Sequence, residues 1–153
     1  MSVIIQDNRL NFDELTRALK GANREIFAGI QAGAVKDGLQ VAEYATFNEF
    51  GTSKIPARPF MRGYIDNNLD QLTAFCRNGV TQVTLGNTDF TTFANAVGLE
   101  MVNGIKKSIT SGDWIPNAPE TIKRKKSAKP LIDTARMLNS VTYAVRRLGE
   151  TKE

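Results

Sequence analysis

TDFTTFANAVGLEMVNGIKKSI, residues 88–109, is the stretch that decides how this chain is read. Phe90, Phe93, Ala94, Val97, Met101, Ile105 and Ile109 recur at helical steps, the spacing that gathers side chains into one stripe of an α-helix. Thr88 is the expected N-cap, and Ser111 with Gly112 the expected end. At 1.5 Å per residue such a helix is about 33 Å long. A stripe of that length must be covered by other elements, so this segment is expected to be the spine of the fold.

Working outward, EIFAGIQAG alternates, with Ile26, Ala28, Ile30 and Ala32 on one face, and predicts a strand before a turn around Lys36 to Gly38. At the far end Val141, Tyr143 and Val145 alternate in the same way, after a two-turn helix capped by Asp133 or Thr134. Between and before them, NFDELTRALKG predicts a short helix with Asn11 as cap and Gly21 as stop; it carries Phe12, Leu15, Ala18 and Leu19 on one side. Residues 39–50 predict a second helix, and MRGYIDNNLDQLTAFC a third that Gly63 weakens by about 1 kcal/mol relative to alanine. RNGVTQVTLGN fits a frayed helix end, while Val83 and Leu85 would also suit a short strand; it reads as loop or helix end. The expected class is α+β: a small, mostly antiparallel sheet made by the early and last strands, packed against a long helix and several shorter ones.

A chain of 153 residues with 41% apolar and 24% charged residues suits one domain spanning 1–153. Two departures from regular structure are expected within it: an extended proline-rich loop at about 51–60 and a basic loop at about 112–130. No apolar stretch reaches the roughly 18 to 20 residues of a membrane span, and the N-terminal residues lack a signal-peptide pattern, so a cytoplasmic setting with no membrane partner is expected. Cys76 reads as a small buried or half-buried thiol, and one cysteine excludes a disulfide within the chain.

The net charge of +4 is a C-terminal property, since residues 100–153 hold eleven Lys/Arg against six Asp/Glu. Its densest part is Lys123, Arg124, Lys125, Lys126 and Lys129. Such a cluster attracts phosphates, and contact with DNA or an acidic partner is one reading. A solvated surface is the other, since no aromatic residue is interleaved to stack on bases.

Catalytic readings find little support. The chain has no histidine, which removes Ser-His-Asp and Cys-His nucleophiles and every histidine-based metal site. GAVKDG has two glycines at the phosphate-loop interval but is followed by Leu39 where lysine is needed, and GxGxxG is absent. Glu43 and Glu49, six positions apart on one helix, point to different sides and read as solvated charges. No catalytic residue, cofactor or metal site is expected.

The connector GTSKIPARPFM then stands out. Ile55 and Arg58 each precede a proline and are pushed toward extended conformations, which makes the segment a stiff strap that loses little entropy on docking. Its apolar members Ile55, Phe60 and Met61 read either as a seal on the domain's own core or as part of a contact. For Asn48, Glu49, Phe50, Thr52, Lys54, Ile55, Arg58, Phe60 and Arg62 together, a subunit interface is expected, because arginine beside aromatic residues is the composition enriched there.

Four segments carry a resemblance: Y-x-x-F-N-E-F-G-T at Tyr44 to Thr52, I-P-A-R-P-F at Ile55 to Phe60, G-x-W-x-P at Gly112 to Pro116, and K-P-L-I-D-T-A-x-M-x-x-S at Lys129 to Ser140. In that order and across most of the chain, they resemble a tail-component family of tailed bacteriophages named after the tenth gene product of a lambda-like phage and related to lambda's tail completion protein Z. The resemblance implies a structural protein of virion morphogenesis, acting in tail completion or head–tail joining, in a ring at the neck or head-proximal tail end. Implied partners are other tail and neck proteins and further copies of this chain; a free monomer in solution is compatible with this, as is non-specific contact of the basic loop with packaged DNA. The implied setting is the host cytoplasm during assembly and then the virion. Ala135 departs from a common glycine after Asp-Thr, and alanine there predicts a helix that starts at once. A nucleic-acid-binding module using the basic segment is the alternative.

Overall fold

Strand β1, Arg24–Ile30, pairs antiparallel with β4, Val141–Arg147, in the register Arg24 to Arg147 through Ile30 to Val141. The computed structural model describes residues 16–17, 19–30, 35–36, 39–133 and 135–149. The register places Ile26, Ala28 and Ile30 opposite Val145, Tyr143 and Val141, so both alternating stripes fall on one face. That face lies on a 22-residue helix, Phe90–Ser111, and the outer face carries Phe27 with the Arg146 guanidinium 5.0 Å from its ring centre. The expected α+β class, with its sheet made from the early and last strands, is what the structure has.

The other elements lie between. A two-residue hairpin pairs β2, Val35–Lys36, with β3, Leu39–Gln40, and leads directly into α1, Val41–Phe50. After the strap come α2, Phe60–Thr84, and α3, the spine Phe90–Ser111. A short α4, Pro119–Lys125, a single turn α5, Arg136–Asn139, and β4 complete the chain. Of the early helix, Thr16, Arg17 and Leu19 are helical and Lys20 N donates to Thr16 O. Asn11, Phe12, Leu15, Ala18, Ala32, the turn positions 37 and 38, and Thr134 lie outside the described residues.

Along α3 the interior divides. Its C-terminal half places Val102, Ile105 and Ile109 against Val41 and Ala45 of α1, Phe60 of α2, Met137 and Val141, with Trp114, Leu131 and Ile132 closing the edge. Its N-terminal half places Phe93 and Val97 against Val83 of α2 and Ile26 of β1. Close approach depends on glycines set under aromatic rings. A methyl group on Gly98 would lie 2.3 Å from the ring of Tyr143, and one on Gly104 1.9 Å from that of Tyr64.

Several expectations need correction. The ambiguous residues 77–87 are helical through Thr84, because Val80 and Val83 continue the period of α2. Asp89, not Thr88, caps α3: its carboxylate accepts from Thr92 N at 2.9 Å and from Thr92 Oγ1 at 2.7 Å. Those bonds hold the Asp89 carboxyl below the usual range. The second helix begins at Val41, since residues 39 and 40 belong to the hairpin. The basic stretch is not all loop, for Pro119 at the first helical position starts α4 and Lys126, in the left-handed conformation, ends it. Ala135 does not start a helix at once; it takes φ +56°, ψ +6° before Arg136, and no side chain caps α5.

Candidate functional site

The strap is held by two buried ionic side chains that neighbour each other through the backbone. Pro59 precedes α2 and offers no capping side chain, so the first amides of that helix need another acceptor. Glu49, near the end of α1, supplies it: Oε2 accepts from Met61 N at 3.0 Å and Oε1 from Arg62 N at 2.9 Å. A carboxylate at a helix N-terminus is favoured by the helix dipole as well as by the bonds. The reading of Glu49 as a solvated charge is therefore overturned, since the residue is 3% exposed.

Arg58 binds the strap to a segment almost sixty residues away. Nε donates to Ile115 O at 2.8 Å, Nη1 to Asn48 Oδ1 at 3.1 Å, and Nη2 to Pro116 O and Asn117 Oδ1, both at 3.2 Å. All four acceptors are neutral oxygens, and the residue is 3% exposed. Burial lowers the guanidinium's pKa from its ordinary value. A planar fork of donors reaches four acceptors in one plane, which a lysine cannot.

The backbone of the strap is closed by its own bonds. Arg58 N donates to Asn48 O, Thr52 N to Ile55 O, and Thr52 Oγ1 accepts from Lys54 N and Ile55 N. Asn48 Nδ2 turns back to Tyr44 O at 2.8 Å. Gly51, at φ +77°, lies so close to the far limb that a methyl group would come within 2.9 Å of Ala57 N. Pro56 and Ala57 ride exposed over this ring of bonds.

The nine expected interface residues thus divide. Glu49, Arg58 and Phe60 face inward, at 3%, 3% and 0% exposure, and serve the chain's own packing; Asn48 is half-buried among them. Phe50, Thr52, Lys54 and Arg62 are exposed and Ile55 is half-exposed. Phe50 stands 66% exposed, with the Arg62 guanidinium 5.8 Å from its ring centre, and Ile115, also exposed, lies where Arg58 binds its carbonyl. These residues form the outward surface of the knot. Sequence reasoning missed Ile115 and Asn117, although the tryptophan-proline turn that holds them was visible.

The basic residues occupy one short helix and its exit. Lys123, Arg124, Lys126 and Lys129 are exposed, while Lys125 Nζ donates to Lys129 O at 3.1 Å and draws the exit back on the helix. Asn117 Nδ2 donates to the same carbonyl at 3.4 Å, so the basic element is tied to the Arg58 knot.

An open groove of about 450 Å³ runs between α2 and α3 past Trp114, lined by Tyr64, Asn67, Asn68, Lys107 and Ser108 among others. Burial, and next the neighbouring Glu100, raise the pKa of Tyr64. Trp114 Nε1 donates to Ser108 O at 3.1 Å, which fixes the groove's end. Among the described residues no three His, Cys, Asp or Glu side chains converge as metal ligands, and no helix is long and apolar enough to cross a membrane. No family model, no curated protein and no solved structure matches this chain.

Proposed function

We propose that this chain is a structural morphogenesis protein of a tailed bacteriophage, working in tail completion or head–tail joining as a subunit of a ring. The observation that supports this reading most is spatial. Four segments carry the resemblance to the tail-component family, and they lie far apart in sequence. Three meet at Arg58, which is itself in the second and bonds to Asn48 in the first and to Ile115 and Pro116 in the third. The fourth contributes Leu131, Ile132, Met137 and Leu138 to the same core as Phe60 and Trp114. The residues that carry the resemblance are thus joined by one set of hydrogen bonds and one core.

In this reading the protein acts by shape. The knot presents Phe50, Thr52, Lys54, Ile55, Arg62 and Ile115 on a backbone already fixed by its own bonds, so little entropy is lost on docking. A head-to-tail contact of that surface with a different patch on the next subunit closes into a ring when the rotation per subunit permits. The basic helix α4, tied to the same knot, faces packaged DNA or an acidic neighbouring ring. No bond-making chemistry and no cofactor is part of this function.

Phe50→Glu and Arg62→Glu, both at exposed positions, test it. Each variant is expected to fold normally, and phage carrying it are expected to accumulate heads and tails that fail to join, seen by electron microscopy. Normal particles would overturn the reading. The alternative, a nucleic-acid-binding module, draws on α4; it predicts salt-dependent DNA binding by the isolated chain that Lys123→Glu with Arg124→Glu abolishes.

A further inference from the structure

Beyond the kink at Asn68 (φ −124°, ψ 15°), α2 continues to Thr84 and carries a stripe whose outer members Leu69, Thr73 and Val80 its own chain leaves exposed, while Cys76 between them packs partly against the Val83, Phe93 and Val97 cluster. Leu69 is 57% and Val80 48% exposed, and Leu72, Thr73, Cys76, Arg77, Val80 and Thr81 border a shallow open depression. At 100° per residue, Leu69, Thr73, Cys76 and Val80 lie along one side of the helix. Asp70 and Arg77 lie together along one flank of that side. They are seven residues and about 10 Å of helix rise apart, too far to pair with each other. Neither forms a side-chain hydrogen bond or ion pair among the described residues.

We infer that this stripe pairs with the same stripe of a second copy, antiparallel, about a two-fold axis passing near Thr73. The charges select that arrangement over others. A two-fold axis perpendicular to the helix pair keeps each flank facing the same flank of its mate. The midpoint of Asp70 and Arg77 falls between residues 73 and 74, so each Asp70 meets the partner's Arg77 and each Arg77 the partner's Asp70. Leu69 then lies about two residues, roughly 3 Å along the axis, from the level of the partner's Val80. In a parallel two-fold pair each flank would face the opposite flank of its mate, where Asn68, Leu72, Phe75 and Gly79 offer no charge, so Asp70 and Arg77 would gain no partner. The contact is independent of the strap surface, so it describes the subunit before it joins a ring.

Sedimentation of the full chain under reducing conditions, from about 1 to 100 μM at low salt, is the test. A concentration-dependent dimer is expected. Asp70→Arg and Arg77→Asp should each weaken it by about tenfold or more, and the double charge swap should restore it to within about threefold. Leu69→Asp should abolish it while circular dichroism, and melting measured at concentrations too low for the dimer, stay unchanged. A monomer at all concentrations, single variants that pair normally, or a double variant no better than the singles would overturn the inference. So would an oligomer that Phe50→Glu removes and Asp70→Arg leaves intact.

Discussion

The two halves of α3 sit in very different surroundings. The C-terminal half is enclosed by α1, the start of α2, α5, β4 and the 112–132 segment, and its enclosure is locked by the Glu49 and Arg58 hydrogen bonds. The N-terminal half rests on the last turns of α2 and on Ile26 of the sheet, with Leu85 and Leu99 exposed around it. The first half is fixed by directional polar bonds from distant sequence, the second by local helix–helix packing. Rigidity is therefore concentrated where the exposed Phe50–Arg62 surface stands.

Removing the Arg58 fork should break that contrast most severely. Arg58→Ala leaves four oxygens without their donor and is expected to cost about 3–4 kcal/mol, lowering the melting temperature by on the order of 10 °C. Gln71→Ala, at an exposed position of the open arm away from the Leu69–Val80 stripe, should stay within about 0.5 kcal/mol in the same thermal melt. If the two losses were equal, the polar lock would be unimportant.

Helix glycines sharpen the comparison. Gly98→Ala drives a methyl group toward the root of the Tyr143 ring, where little can give, and should destabilise by about 1–2 kcal/mol despite alanine's better helix propensity. Gly79→Ala drives a methyl group into the ring of the buried Phe93, and its loss in chemical denaturation should be of similar size. At the enclosed end, Ala135→Gly should stabilise by about 0.5–1 kcal/mol, because a left-handed conformation is costly for alanine and not for glycine.

The smallest expected effect is alkaline. Burial raises the pKa of Tyr44 and Tyr64 above the ordinary tyrosine value, with Arg136 partly opposing it at Tyr44. The unfolded chain therefore releases these protons first. Stability is fully present below about pH 10 and falls as pH rises through and past the usual tyrosine range. Tyrosinate absorbance followed alongside melts from pH 9 upward should show these two residues titrating late and stability declining with them.

Periodic features were legible in the sequence and polar ones were not. The stripe of α3 and the alternations of β1 and β4 reach the structure intact, because a repeat of 3.6 or 2 leaves few ways to bury itself. Asp89 was missed in favour of Thr88, one position away, since both side chains can accept a hydrogen bond and only the backbone geometry chooses. Glu49 carried no local signal at all: its partners are amides beyond a proline loop, and a charge on a helix ordinarily faces water. Arg58 was singled out for its aromatic neighbours, yet its acceptors, Ile115 O and Pro116 O, are backbone groups whose positions no side-chain pattern records. Ala135 shows the reverse case, where helix propensity pointed one way and the turn before α5 required another.

Because three of the four acceptors of the Arg58 side chain lie at Ile115, Pro116 and Asn117, the strap gains most of its anchorage only after a segment almost sixty residues further along the chain has been made. Contacts of such long sequence separation form late. The exposed Phe50–Arg62 surface is thus set in its final form only once that later segment has packed, which couples the order of one end of α1 to a turn distant in sequence.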